Sequence, residues 1–99
     1  MNAVLISGIT GFVGKNLSSY LSNDYKVEGV YRGAKNNQLS YTSITSESFN
    51  NKKAFIHLAG KAHDLANSSN PKEYFEVNTE LTKILFDKFL ESNCEKFIF

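Results

Sequence analysis

Residues 7–14 read SGITGFVG and follow the apolar run AVLI. Gly8, Gly11 and Gly14 stand three residues apart. An ordered glycine loses more backbone entropy than any other residue, so a triplet must be offset by something only a missing side chain allows. A strand ending at a glycine, with a helix starting just beyond, provides it. Gly8 makes the tight turn, Gly11 lets backbone approach a phosphate pair, and Gly14 lets helix and strand pack closely. The helix start adds free N–H groups and partial positive charge. The chemistry is phosphate recognition by backbone; a glycine-rich turn that binds nothing is the plainer alternative. No Gly-Lys-Ser/Thr run follows, so a nucleoside triphosphate loop is not expected.

Other reactive side chains are few. His57, His63 and Asp64 have no metal-ligand spacing, and the histidines read as a buried strand residue and a loop residue; His63 and Asp64 could also face a substrate. Cys94 is the only cysteine, which excludes an intrachain disulfide and multi-cysteine metal motifs. It reads as an ordinary small buried residue, and a reducing cytoplasm suits such usage. Eleven basic and ten acidic residues leave a charge of +1, so no basic face argues for nucleic acid. No apolar run approaches the ~20 residues of a membrane span, and the apolar opening MNAVLISG lacks a basic n-region and meets glycine too early to read as a signal peptide.

The elements that must position the glycines follow from periodicity. Residues 2–7 form an apolar run suited to a strand buried on both faces. From Phe12, Val13, Leu17, Tyr20 and Leu21 recur at helical spacing, fading near 22–24. Residues 26–32 read as a second strand with Val27 and Val30 inside. A polar loop (33–38) precedes a short third strand at 39–44. Thr45 or Ser46 caps one or two helical turns within 45–51. Residues 53–60, KAFIHLAG, form a fourth strand closed by glycine. After a polar connection (61–70), Asn70, Pro71 and Glu73 start a helix. It runs to about residue 92, with an apolar stripe of Val77, Leu81, Ile84, Leu85 and Phe89. Lys72, Glu76, Lys83, Asp87 and Glu91 lie opposite. Residues 95–99 form a fifth strand, Phe97 and Phe99 alternating with Ile98. Strands alternating with helices predict one α/β domain: a Rossmann-like, doubly wound parallel sheet of about five strands, order 3-2-1-4-5, with helices on both faces.

SGITGFVG near the start, HLAG closing the fourth strand, and EYFEVNTELTKILFDKFLESNCEKFIF together resemble an extended short-chain dehydrogenase/reductase. More narrowly, they are similar to NAD(P)-dependent nucleotide-sugar epimerases and dehydratases, especially those of bacterial polysaccharide synthesis. The resemblance spans nearly the whole chain. It implies that Gly8, Thr10, Gly11, Phe12, Val13 and Gly14 line the pyrophosphate of NAD(P). It implies that Leu58, Ala59 and Gly60 pass beside the ribose and adenosine, and that Lys61 contacts the cofactor. Asn78 matches the family asparagine that steadies sheet and active site. The long helix, 71–92, is where such proteins form homodimers, and Phe86, off the apolar stripe, is a candidate interface residue.

Two departures bear on the cofactor. Where an NAD-preferring relative ends its second strand with an acid, this chain has Tyr31 and then Arg32. A cation there suits a 2′-phosphate, so NADP is favoured slightly over NAD; Arg32 stacked on the adenine would serve either. The family aspartate after the third strand is missing, which leaves adenine to backbone, Thr42 or Ser43. The family's catalytic group is a serine or threonine after the fifth strand and a Tyr-x-x-x-Lys on the next helix. The only Tyr-x-x-x-Lys spacing here is Tyr31–Lys35, at a strand end and in a loop, where it reads as coincidence. No catalytic residue is therefore expected in residues 1–99. They are expected to be the N-terminal portion of the NAD(P)-binding domain, inactive alone, with the rest of that domain and the substrate domain beyond them. The expected function is the cofactor-binding part of a cytoplasmic nucleotide-sugar epimerase, dehydratase or reductase. The alternative is a non-catalytic dinucleotide-sensing module.

Overall fold

The computed structural model describes residues 2–32, 35, 37–58 and 71–99, with 71–77 as backbone only. The strands are β1 (Ala3–Ser7), β2 (Lys26–Tyr31), β3 (Leu39–Ser40), β4 (Lys52–His57) and β5 (Phe97–Ile98). The helices are α1 (Phe12–Leu21) and α2 (Pro71–Leu90), and a 3-10 turn spans Ser46–Phe49. All five strands are parallel, in the order β3-β2-β1-β4-β5. This is the predicted sheet. β1 is central, its apolar run Ala3–Ile6 suits burial on both faces, and only Ala3 of its residues keeps appreciable exposure.

Directly opposed residues of parallel strands share a face. Leu5 opposes Phe55, and Phe55 opposes Phe97. These three point to the face that also gathers Val30, Ile44, Phe49, Leu85 and Cys94 into the main core. The Phe55 ring leans on Phe49 at 4.8 Å and on Phe97 at 5.1 Å, tilted contacts that aromatic quadrupoles favour. Val4 and Ile6 point the other way, and α1 packs along β1 and β2. The 3-10 turn forms where a cap was expected, the Thr45 N–H donating to Ser48 Oγ at 3.1 Å.

Several expectations are corrected. The third strand is only Leu39–Ser40, because the chain reverses at once: the N–H groups of Ser43 and Ile44 donate to the Ser40 carbonyl, at 3.2 and 3.0 Å. The second strand stops at Tyr31, and Arg32 stands in a turn. The fourth stops at His57. On α1, Val13 and Tyr20 are exposed rather than buried, because the residue pressed against the sheet is Gly14. On α2, Leu81, Leu85 and Phe89 pack on the core while Ile84 is 48% exposed. The side chain of Val77 lies outside the described residues. The fifth strand is Phe97–Ile98; Ile98 and Phe99 are exposed, since β5 is an edge of the described sheet. Cys94 is buried and free as expected, and burial pushes its thiol up. No helix among the described residues is long and apolar enough to cross a membrane.

Candidate functional site

The glycine-rich turn lies where β1 hands the chain to α1. Gly8 has φ 75°, in the left-handed region that a side chain resists. Its carbonyl accepts from the Gly11 N–H at 3.1 Å, which closes the turn. Gly14 sits over this turn: a Cβ there would lie 2.1 Å from Gly8 O and 2.7 Å from Ile9 Cα. The helix can start only because that atom is missing, as the spacing predicted. Gly11 is the N-cap of α1, and no side chain caps the helix start. An uncapped first turn leaves N–H groups with no partner inside the helix, here those of Phe12, Val13 and Gly14. The first turn also holds no acidic side chain that would repel an anion. Phe12, Val13 and Thr10 are exposed beside it. Turn and helix start thus form a backbone cradle that fits a pyrophosphate.

The other predicted residues fall around the same end of the sheet, at the C-terminal ends of the strands. Tyr31 ends β2 half-buried, and Arg32 follows it, exposed. Leu58, just past β4, donates its N–H to the Ser7 carbonyl at 3.0 Å and so lies against the turn. Asn78 is half-buried on α2, its carbonyl accepting from the Thr82 hydroxyl at 2.9 Å. Ala59, Gly60, Lys61, His63 and Asp64 lie outside the described residues. Thr42 and Ser43 are exposed, but Ser43 Oγ is turned back to accept from the Ser40 N–H at 2.9 Å. Lys35 lies in a separate exposed turn, its N–H donating to Gln38 Oε1 at 2.8 Å. Among the described residues no cluster of acidic, histidine and cysteine side chains could hold a metal. A cleft of about 420 Å³ opens beside β2 and β3; its lining includes Tyr31 as well as Glu28 and Lys52, which pair at 2.9 Å.

Behind the turn lies a polar network that the sequence reading did not find. Ser7 Oγ is 2.6 Å from His57 Nδ1, and His57 Nε2 is 3.0 Å from Thr82 Oγ1. The Thr82 hydroxyl donates its one proton to the Asn78 carbonyl. Thr82 can therefore only accept from His57, which fixes the proton on Nε2 and leaves Nδ1 to accept from Ser7. Burial holds the imidazole below its usual value, consistent with this neutral form. Its ring stacks on Phe55 at 5.9 Å. The buried strand histidine expected at position 57 is thus a connector joining β1, β4 and α2. Tyr41, beyond β3, adds a further member: its hydroxyl accepts from the Gly8 N–H at 3.2 Å. No periodicity marks Tyr41 or Thr82.

Comparison with known proteins agrees with this geometry. No curated protein matches the chain. Among solved structures, a UDP-N-acetylglucosamine 4-epimerase from Methanobrevibacter ruminantium, in complex with UDP-N-acetylmuramic acid, superposes with TM-score 0.78 at 22% identity, covering 99% of this chain and 37% of that one. A human epimerase family protein solved with NADPH gives TM-score 0.74 at 24% identity over 92% of this chain and 32% of its own. A short-chain dehydrogenase/reductase superfamily protein from Agrobacterium tumefaciens, with bound NAD, gives 0.68 at 20% identity over 96% and 31%. The chain spans about a third of the length of these structures. At such identities they establish the shared fold. The sequence model of the NAD dependent epimerase/dehydratase family matches residues 4–99. With strand, glycine turn and helix in the arrangement just described, the chain belongs to the NAD-dependent epimerase/dehydratase family.

Proposed function

We propose that residues 1–99 are the cofactor-binding part of an NAD(P)-dependent enzyme that epimerises, dehydrates or reduces a nucleotide sugar in polysaccharide biosynthesis. The observation that carries this reading is the approach of Gly14 to Gly8, which leaves the first N–H groups of α1 open above the end of β1. A dinucleotide would lay its pyrophosphate there, with its adenosine side toward Tyr31 and Arg32 and its nicotinamide side toward Leu58. When bound, the nicotinamide would accept and return hydride. The residues of this chain bind and orient it; the groups that move the substrate proton belong to further parts of the protein. Family membership and structural neighbours solved with NAD, NADPH and a UDP-sugar support the cofactor and substrate class. Arg32 favours NADP over NAD through charge-assisted bonds to a 2′-phosphate. A cytoplasmic location and a homodimer through α2 complete the proposal.

Calorimetric titration of the full chain with NADPH and NADH tests it. Saturable binding of both is expected, a few-fold tighter for NADPH, with Arg32→Gln removing the difference. Binding of neither would overturn the proposal. Binding without turnover of any UDP-sugar would favour a dinucleotide-sensing module instead.

A further inference from the structure

Tyr41 stands where the chain has just left the sheet, and its position is fixed from several sides. The reversal at 40–44 is held by Ser40 and Ser43, which turn the ring back toward the sheet. The ring packs against the main core. The hydroxyl then accepts from the N–H of Gly8 at 3.2 Å. Burial pushes the phenol up, so the hydroxyl stays protonated.

The residue held in this way is Gly8, whose left-handed φ of 75° makes it the hinge on which the turn depends. A glycine hinge has wide conformational freedom and must lose it whenever the turn is ordered. An anchor from a neighbouring strand removes much of that freedom before any ligand arrives, which is the basis of preorganised affinity. We propose that Tyr41 is a positioning residue for the phosphate-binding turn: its hydroxyl ties Gly8 to the end of β3, and the free N–H groups of α1 are thereby aimed at a dinucleotide pyrophosphate. Tyr41 acts through Gly8 and makes no contact with the ligand. The proposal rests on the dinucleotide reading above.

Tyr41→Phe removes the hydroxyl and keeps the ring in the core, so the fold should survive. Two ligands separate the effects: ADP-ribose, which carries the pyrophosphate, and adenosine, which carries none. The expected result for Tyr41→Phe in the full chain is about a tenfold loss of ADP-ribose affinity, the size of one net hydrogen bond. Adenosine affinity should be unchanged. In nuclear magnetic resonance, the Gly8 amide should exchange faster with solvent while the amides of Leu5 and Ile6 keep their protection. Equal loss for both ligands would overturn the proposal, since it would mean adenine contact or general loosening. Unchanged ADP-ribose affinity in Tyr41→Phe would overturn it while leaving the dinucleotide reading intact. Failure of the unaltered chain to bind ADP-ribose would overturn both.

Discussion

His57 and Ser7 face each other across the paired ends of β1 and β4, with Nδ1 2.6 Å from Oγ and both residues shielded from water. They are fifty residues apart in the chain. The pair closes the core at the end of the sheet where the glycine turn begins. It also links that turn to α2 through Thr82.

Removing one member should cost more than a surface hydrogen bond, because the other stays buried with nothing to bind. Ser7→Ala leaves Nδ1 of His57 without its donor. A loss of about 1–3 kcal/mol is expected, read from urea unfolding. A loss within about 0.5 kcal/mol, the range of ordinary surface changes, would show that the pair contributes little.

The same pair makes stability depend on pH. The unfolded imidazole takes up a proton near its ordinary value of about 6.5, whereas burial holds the folded one lower. The unfolded state therefore binds more protons in between, and stability rises with pH there. The contribution of His57 is complete above about 6.5 and is lost as pH falls through the lower, folded value. Urea midpoints should drop between about pH 7 and pH 5, and His57→Gln should flatten that drop. An unchanged slope in the variant would refute this.

Gly14→Ala places a methyl group against the Gly8 carbonyl, where backbone leaves no room. Overpacking of this kind costs about 1–3 kcal/mol or more, and relief must come from moving the helix start. We expect both lower stability and loss of dinucleotide binding. Gly11→Ala, whose Cβ would sit at an ordinary 3.4 Å from the same carbonyl, should fold nearly as well as the unaltered chain. Thermal melts of the two variants decide it.

Two adjacent leucine-like residues on α2 should behave differently. Leu85 is fully buried in the main core, and Leu85→Ala should cost about 2–5 kcal/mol. Ile84 is half exposed, and Ile84→Ala should cost under about 1 kcal/mol. Equal losses would place the α2 seam one residue away from where it is described.

The strand-turn-helix unit, its glycine roles and the strand order were legible in the sequence because their causes are local. A left-handed φ demands glycine at one position, an apolar run specifies a buried strand, and right-handed crossovers restrict the order. The registers of single residues were less legible. Val13, Tyr20 and Ile84 fit the helical spacing, yet their burial depends on how each helix lies on a sheet. Gly14 brings α1 down on its own side and leaves Val13 outside. The polar network was not legible at all. Tyr41 meets Gly8 over a separation of 33 residues and His57 meets Thr82 over 25, through directional bonds between side chains that follow no periodicity. The sequence determined that a glycine turn and an uncapped helix start would form a backbone cradle at the end of β1. The tertiary structure decided what holds that cradle still, because only the folded sheet brings the ends of β1, β3 and β4 within hydrogen-bonding reach.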